Sequence, residues 1–92
     1  MEKRTIIVTR HKALVEFLAL KGITGEVVEH ATAENVKGKI VYGVLPLHLA
    51  VLCERIVSVD LDIPADKRGA ELTLEDIKAY YKGMQSYSVN YT

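Results

Sequence analysis

Three short stretches of this 92-residue chain carry side chains suited to binding and cutting at an anionic centre. The first is Thr9-Arg10-His11, which ends the β-branched run Thr5 to Thr9 and opens a stretch of helical spacing. In an open parallel sheet, ligands collect at the carboxyl ends of the strands, where the free N–H groups of a helix N-terminus favour an anion. Arg10 adds a bidentate donor for phosphate, and His11 is a donor or general base near neutral pH. The plainer reading is that His11 caps the helix and Arg10 is solvated.

The second stretch is Gly43-Val44-Leu45-Pro46, at the matching strand-to-helix junction in the middle of the chain. Gly43 removes a side chain where a ligand or another backbone approaches closely, and Pro46 sets how the chain enters the helix. The stretch lacks the glycine spacing and the Lys-Ser/Thr pair of a Walker loop. Tight packing of helix on strand explains it as well as a ligand does. His48, in the first turn of that helix, stands near the same place.

The third stretch is Asp60 to Glu71, in which Arg68-Gly69 brings a cation and a flexible backbone toward the same sheet edge. Asp60, Asp62 and Asp66 do not match the spacing of a calcium loop and have no Cys or His cluster beside them. No metal site and no cofactor are expected. His30, at the end of the second strand, reads as an ordinary polar residue. No Ser-His-Asp or Cys-His arrangement is available, since Cys53 falls within an apolar helical run and no serine lies in a nucleophile elbow.

The elements that must position these residues follow from the hydrophobic pattern. Leu14, Phe17 and Leu18 give a first helix ending at Lys21-Gly22, and Gly25 to His30 gives a second strand. Residues 32–39 read as a polar loop with one helical turn. Lys39 to Leu45 is a continuous apolar run, the mark of a central strand buried on both faces. Leu47, Ala50, Val51 and Glu54 predict a helix reaching Arg55. Ile56 to Ile63 is a fourth strand, with Ser58, Asp60 and Asp62 on its polar face. Thr73 caps a last helix whose stripe is Ile77, Tyr80, Tyr81 and Met84. Alternating Tyr87, Val89 and Tyr91 predict an edge strand or an arm over residues 85–92.

Strands alternating with helices make this an α/β protein, with a mainly parallel sheet of four to five strands in a single domain over residues 1–84. Three helices cannot cover both faces of such a sheet, so a homodimer is expected to hide the remaining apolar surface. Twelve Lys and Arg balance twelve Asp and Glu, which excludes a broadly basic surface for long nucleic acid. Hydrophobic residues make up 49% and charged residues 26%, which excludes disorder. The single Cys53 makes no internal disulfide and reads as a buried, inert thiol. No signal peptide or membrane-spanning run is visible, so a cytoplasmic protein with no membrane partner is expected.

Val8-Thr9-Arg10-His11, Gly43-Val44-Leu45-Pro46, and the stretch from Leu61 to Leu72 with Pro64, Arg68-Gly69 and Glu71-Leu72 occur in one order over residues 5–80. Together they resemble the small CRISPR-associated Csx-sixteen family of type III systems. The resemblance implies a dimeric, three-layer Rossmann-like fold related to the CARF sensor domains. It also implies a ring nuclease that opens cyclic tetra-adenylate without metal and so switches off the signal to ancillary nucleases. In that setting Arg10, His11 and Arg68 are the catalytic candidates. Thr9, Gly43, Val44, Leu45, Pro46, His48 and Gly69 are the binding candidates. Lys12 departs from the small residue or proline expected after His11.

Three other readings compete with this one. A sensor or sponge binds the ring without cutting it. A histidine phosphatase shares Arg-His after the first strand, but its glycine is here Lys12 and the chain is short for that fold. A protein-binding module would use Tyr80, Tyr81, Tyr87 and Tyr91 as a face, although aromatics at helical spacing usually belong to the core.

Overall fold

Residues 5–90 are described by a computed structural model. The start of the expected domain, including Lys3-Arg4, and the end of the expected arm, including Tyr91, lie outside the described residues. Strand β1 (Thr5–Val8) leads into helix α1 (Lys12–Leu20), strand β2 (Glu26–Val28), helix α2 (Ala33–Val36) and strand β3 (Ile40–Tyr42). Helix α3 (Leu47–Ala50), strand β4 (Arg55–Leu61), helix α4 (Leu74–Tyr80) and strand β5 (Tyr81–Tyr87) follow. The five strands form one sheet in the order β2-β1-β3-β4-β5, with β3 at its centre. Every pairing is parallel except that of β4 with β5. The protein is therefore α/β with a mostly parallel five-stranded sheet.

Alternation along β1 divides the core between the two faces of the sheet. Ile6 packs with Val41 of β3, Val36 of α2 and Ala50 of α3 on one face. Ile7, only 1% exposed, points to the other face, where Phe17 of α1 and Ile77 of α4 form a second cluster with Leu72. Both faces of β1 are thus covered, as its unbroken apolar run requires. The helix caps are local. Lys21 ends α1 with Gly22 at φ +82°, and Thr32 caps α2 through a reciprocal bond pair with Asn35. The helical turn expected in residues 32–39 is α2.

The strands expected over Gly25 to His30, Lys39 to Leu45 and Ile56 to Ile63 are β2, β3 and β4 with different ends, and two helix ends also differ from the sequence reading. Helix α3 stops at Ala50 rather than near Arg55, because Arg55 already pairs with Ile40 and Glu54 N–H donates to the Lys39 carbonyl at 2.9 Å. Cys53 consequently sits after the helix, its thiol donating to the Leu49 carbonyl at 3.5 Å. Helix α4 stops at Tyr80 rather than Met84, and the chain from Tyr81 to Tyr87 pairs antiparallel with β4 from Leu61 to Ile56, with a register shift between Asp60 and Leu61. Continuing the helix would put Gly83 in its interior at about 1 kcal/mol and leave the β4 edge unpaired. The edge strand expected from residue 85 onward therefore begins at Tyr81.

Candidate functional site

The strand order places a crevice at one end of the sheet. From β1 the chain runs outward to β2, then returns across the sheet to β3 on the other side of β1. The connections after β1 and β3 diverge, and such a switch point opens a crevice at the carboxyl ends of the strands. A cleft of about 300 Å³ lies there, lined by Thr9, Arg10 and His11 after β1, Gly43 and Val44 after β3, and Glu29 after β2. Val8, Leu14 and Val59 supply its apolar wall.

Backbone bonds hold both loops up to the rim of this cleft. Thr9 N–H donates to the Val28 carbonyl at 3.0 Å, and Gly43 N–H donates to the Val57 carbonyl at 3.0 Å. Gly43 has φ +144°, a conformation that side chains rarely adopt, and its missing Cβ leaves room for the Val8 backbone. The close approach anticipated at Gly43 is thus made by the neighbouring strand.

His11 is the N-cap residue of α1, but its side chain makes no capping bond. Its backbone N–H instead donates to Thr9 Oγ1 at 3.1 Å. The imidazole is exposed beside the cleft, so His11 occupies the cap position that the plainer reading gave it, but without a side-chain bond to the helix. The amides of Lys12 and Ala13 have no acceptor within their own helix, and no acidic residue in the first turn offsets its positive end. Arg10 is exposed, and its Nη2 donates across 3.5 Å to His30 Nε2, a long and weak bond that needs the imidazole proton on Nδ1. The guanidinium can leave His30 for a phosphate oxygen at small cost.

Arg68 and Gly69 line a second cleft of about 210 Å³ together with Lys67, Leu72 and His11. His11 therefore stands between the cations of two strand-end loops. A third cleft of about 270 Å³ lies on the outer side, between Arg10, His11 and Lys12 and the end of β2 at Val27 and Glu29. The Arg68 loop is tied down by the 3-10 turn over Ala65–Lys67 and by Lys67 Nζ, 3.8 Å from Asp76 Oδ1 on α4. Gly69 makes the loop's reversal at φ +85°.

Of the ten residues singled out in the sequence, Thr9, Arg10, His11, Gly43, Val44, Arg68 and Gly69 meet at these neighbouring clefts. Leu45, Pro46 and His48 line none of the three. Leu45 is buried in the core beside Val41, Pro46 precedes α3, and His48 is exposed on that helix. Glu29 was not singled out, yet it lines two of the clefts. Its signal was an acidic residue directly after the second strand, about 20 positions beyond the first strand-to-helix turn.

Asp60 and Asp62 are engaged elsewhere. Ser58 Oγ donates to Asp60 Oδ1 at 2.9 Å, and Asp62 pairs with Lys82 at 3.4 Å. Among the described residues no three His, Cys, Asp or Glu side chains gather into a metal-binding group. Cys53 is half-buried rather than buried as expected, and its partial burial pushes the thiol up from its ordinary value, which keeps it protonated and poorly nucleophilic. No helix among the described residues is long and apolar enough to cross a membrane.

A family model described as "Putative CRISPR-associated protein (Cas_VVA1548)" matches residues 6–90. The chain belongs to this CRISPR-associated family. The matched span takes in all three strand-end stretches, so the family and the clefts share one stretch of chain. No curated protein and no solved structure matches the chain.

Proposed function

We propose that this CRISPR-associated protein is a ring nuclease of the Csx-sixteen type, which opens cyclic tetra-adenylate by attack of a ribose 2′-hydroxyl on the adjacent phosphorus. The observation that carries the reading is the position of His11, between Arg10 at the switch-point crevice and Arg68 in the neighbouring loop. In each cut a 2′-O–P bond forms, the P–O5′ bond breaks, and the 2′-hydroxyl proton is replaced by one delivered to the leaving 5′-oxygen. The products carry a 2′,3′-cyclic phosphate and a 5′-hydroxyl, and two cuts turn the ring into linear di-adenylate.

Such a reaction asks for in-line alignment and for neutralisation of charge growing on the phosphoryl oxygens. Arg10, Arg68 and the first amides of α1 neutralise that charge, and His11 moves the proton. Thr9, Gly43, Val44 and Gly69 shape the backbone around the phosphate.

The size of the clefts favours a dimer with the ring on its two-fold axis, in the manner of CARF-like sensors. About 300 Å³ is at the small end of ligand pockets, enough for one nucleotide and too little for a ring of four. Val44, in the cleft wall, and Leu47 at the start of α3 are 84% and 74% exposed, apolar surface that a second copy would cover.

The test is single turnover, with protein in excess over cyclic tetra-adenylate and EDTA present, and products resolved by chromatography and mass. Linear di-adenylate with a cyclic phosphate is expected. An intact ring in a tight complex would replace the nuclease with a sensor or sponge, and no complex would remove the cyclic nucleotide altogether.

A further inference from the structure

We propose that Glu29 reads the ribose 2′-hydroxyl of the bound nucleotide and so makes the site selective for ribonucleotides. This inference rests on the proposed function. Glu29 directly follows β2, which lies beside β1 with Val8 opposite Val28 and with the Thr9 N–H bonded to the Val28 carbonyl. That pairing carries the Glu29 carboxylate to the side of Thr9, Arg10 and His11, where it lines both the inner and the outer cleft. Among the described residues it forms no ion pair and accepts no side-chain hydrogen bond, so its oxygens are open to a ligand.

The chemistry of the cleft divides by charge. Arg10 and the α1 amides attract phosphate, and a carboxylate repels it, so Glu29 faces a neutral part of the nucleotide that donates hydrogen bonds. In dinucleotide-binding Rossmann sheets, where β2 likewise lies beside β1, an acidic residue at the end of the second strand accepts from ribose hydroxyls while the first helix holds the phosphate. In a 3′–5′ linked ring every 3′-oxygen is esterified, and the 2′-hydroxyl is the one ribose donor left. The group that Glu29 holds is therefore the nucleophile's own hydroxyl, oriented about one phosphate away from Arg10.

The test compares cyclic tetra-adenylate with its all-2′-deoxy analogue by filter binding on ice, within seconds of mixing and before turnover. The parent protein should prefer the ribose ring by about tenfold, the scale of a hydrogen bond to a charged acceptor in an open cleft. Glu29→Ala should lose that preference while binding the deoxy ring at least as well as the parent does, since the carboxylate that repels phosphate is gone. Glu29→Gln, which keeps a neutral acceptor, should retain part of it. Equal binding of both rings by the parent, or a preference that Glu29→Ala keeps in full, overturns the assignment and leaves the proposed function standing. Binding of neither ring by the parent overturns both. Glu29 is exposed, so circular dichroism of the variants should match the parent.

Discussion

Gly43 abuts Val8 so closely that a Cβ on Gly43 would stand 2.6 Å from the Val8 carbonyl oxygen and 3.2 Å from the Val8 Cβ. The ends of β1 and β3, which form the floor of the crevice, are thus pressed together at a position where only glycine fits. Gly43→Ala meets both the positive φ and the clash, and neither neighbouring atom belongs to the far end of a flexible side chain. A loss of about 2 kcal/mol or more is expected, read from the urea midpoint at unchanged slope. A midpoint equal to the parent's would show that β1 and β3 can part at this point.

The contrast between Gly43 and Glu29 shows which parts of the site were legible in the sequence. Gly43 and Thr9-Arg10-His11 each follow a β-branched or apolar run and precede helical spacing, so local pattern alone places them at strand ends. Glu29 also follows a strand, but its relation to Arg10 depends on β2 lying beside β1, which is a non-local pairing. The same limit applies at the end of α4. Ile77, Tyr80, Tyr81 and Met84 fit a helical stripe, and only the open edge of β4 decides that Tyr81 onward is strand. Leu45 was placed near the site for its neighbours in sequence, yet its side chain turns into the core with Ile6 and Val41.

Arg10 and His11 are adjacent, but their substitutions should separate binding from chemistry. Arg10→Ala and Arg68→Ala each remove a charge-assisted phosphate contact, and each should weaken cyclic tetra-adenylate binding by about tenfold or more. His11→Ala should slow single-turnover cleavage by about a hundredfold or more with less effect on affinity. Because the His11 side chain makes no capping bond, its melting temperature should stay at the parent value. Cleavage at the parent rate by His11→Ala would remove His11 as the proton-transfer group.

Phe17 holds α1, and with it the Arg10-His11 turn, against the last strand. Its ring is buried, with its centroid 4.9 Å from that of Tyr81, and Lys21 Nζ lies 5.3 Å from the Phe17 ring and 4.8 Å from the Tyr81 ring. Phe17→Ala opens a cavity among Leu72, Ile77 and Tyr81 and should cost about 3–5 kcal/mol. Lys21→Ala removes only the cation over the buried Phe17 and half-buried Tyr81 rings, at about 0.5–1 kcal/mol. Chemical denaturation of the two variants tests the order. A larger loss for Lys21→Ala would mean that charge rather than packing secures the helix.

Asp76 ties α4 to the Arg68 loop and gives the fold a defined acid sensitivity. Thr73 N–H donates to Asp76 Oδ2 at 3.1 Å, Asp76 N–H donates to Thr73 Oγ1 at 3.1 Å, and Lys67 lies 3.8 Å from Asp76 Oδ1. The Thr73 backbone amide chiefly holds the Asp76 carboxyl below its ordinary value; desolvation opposes it, and the Thr73 hydroxyl and Lys67 add smaller lowering effects. A depressed folded-state pKa stabilises the fold fully above the unfolded-state value of about 4, and the contribution is lost as pH falls through the lower folded-state value. Asp76→Asn keeps an acceptor but not the charge, so it should be less stable than the parent near neutrality. The gap in urea midpoint should then narrow as pH drops below about 4. A gap of constant size from about pH 6 to about pH 2 would show that the carboxylate charge adds nothing to the cap. Thr73→Ala should lose about 1 kcal/mol near neutrality, since it removes the acceptor for the Asp76 N–H.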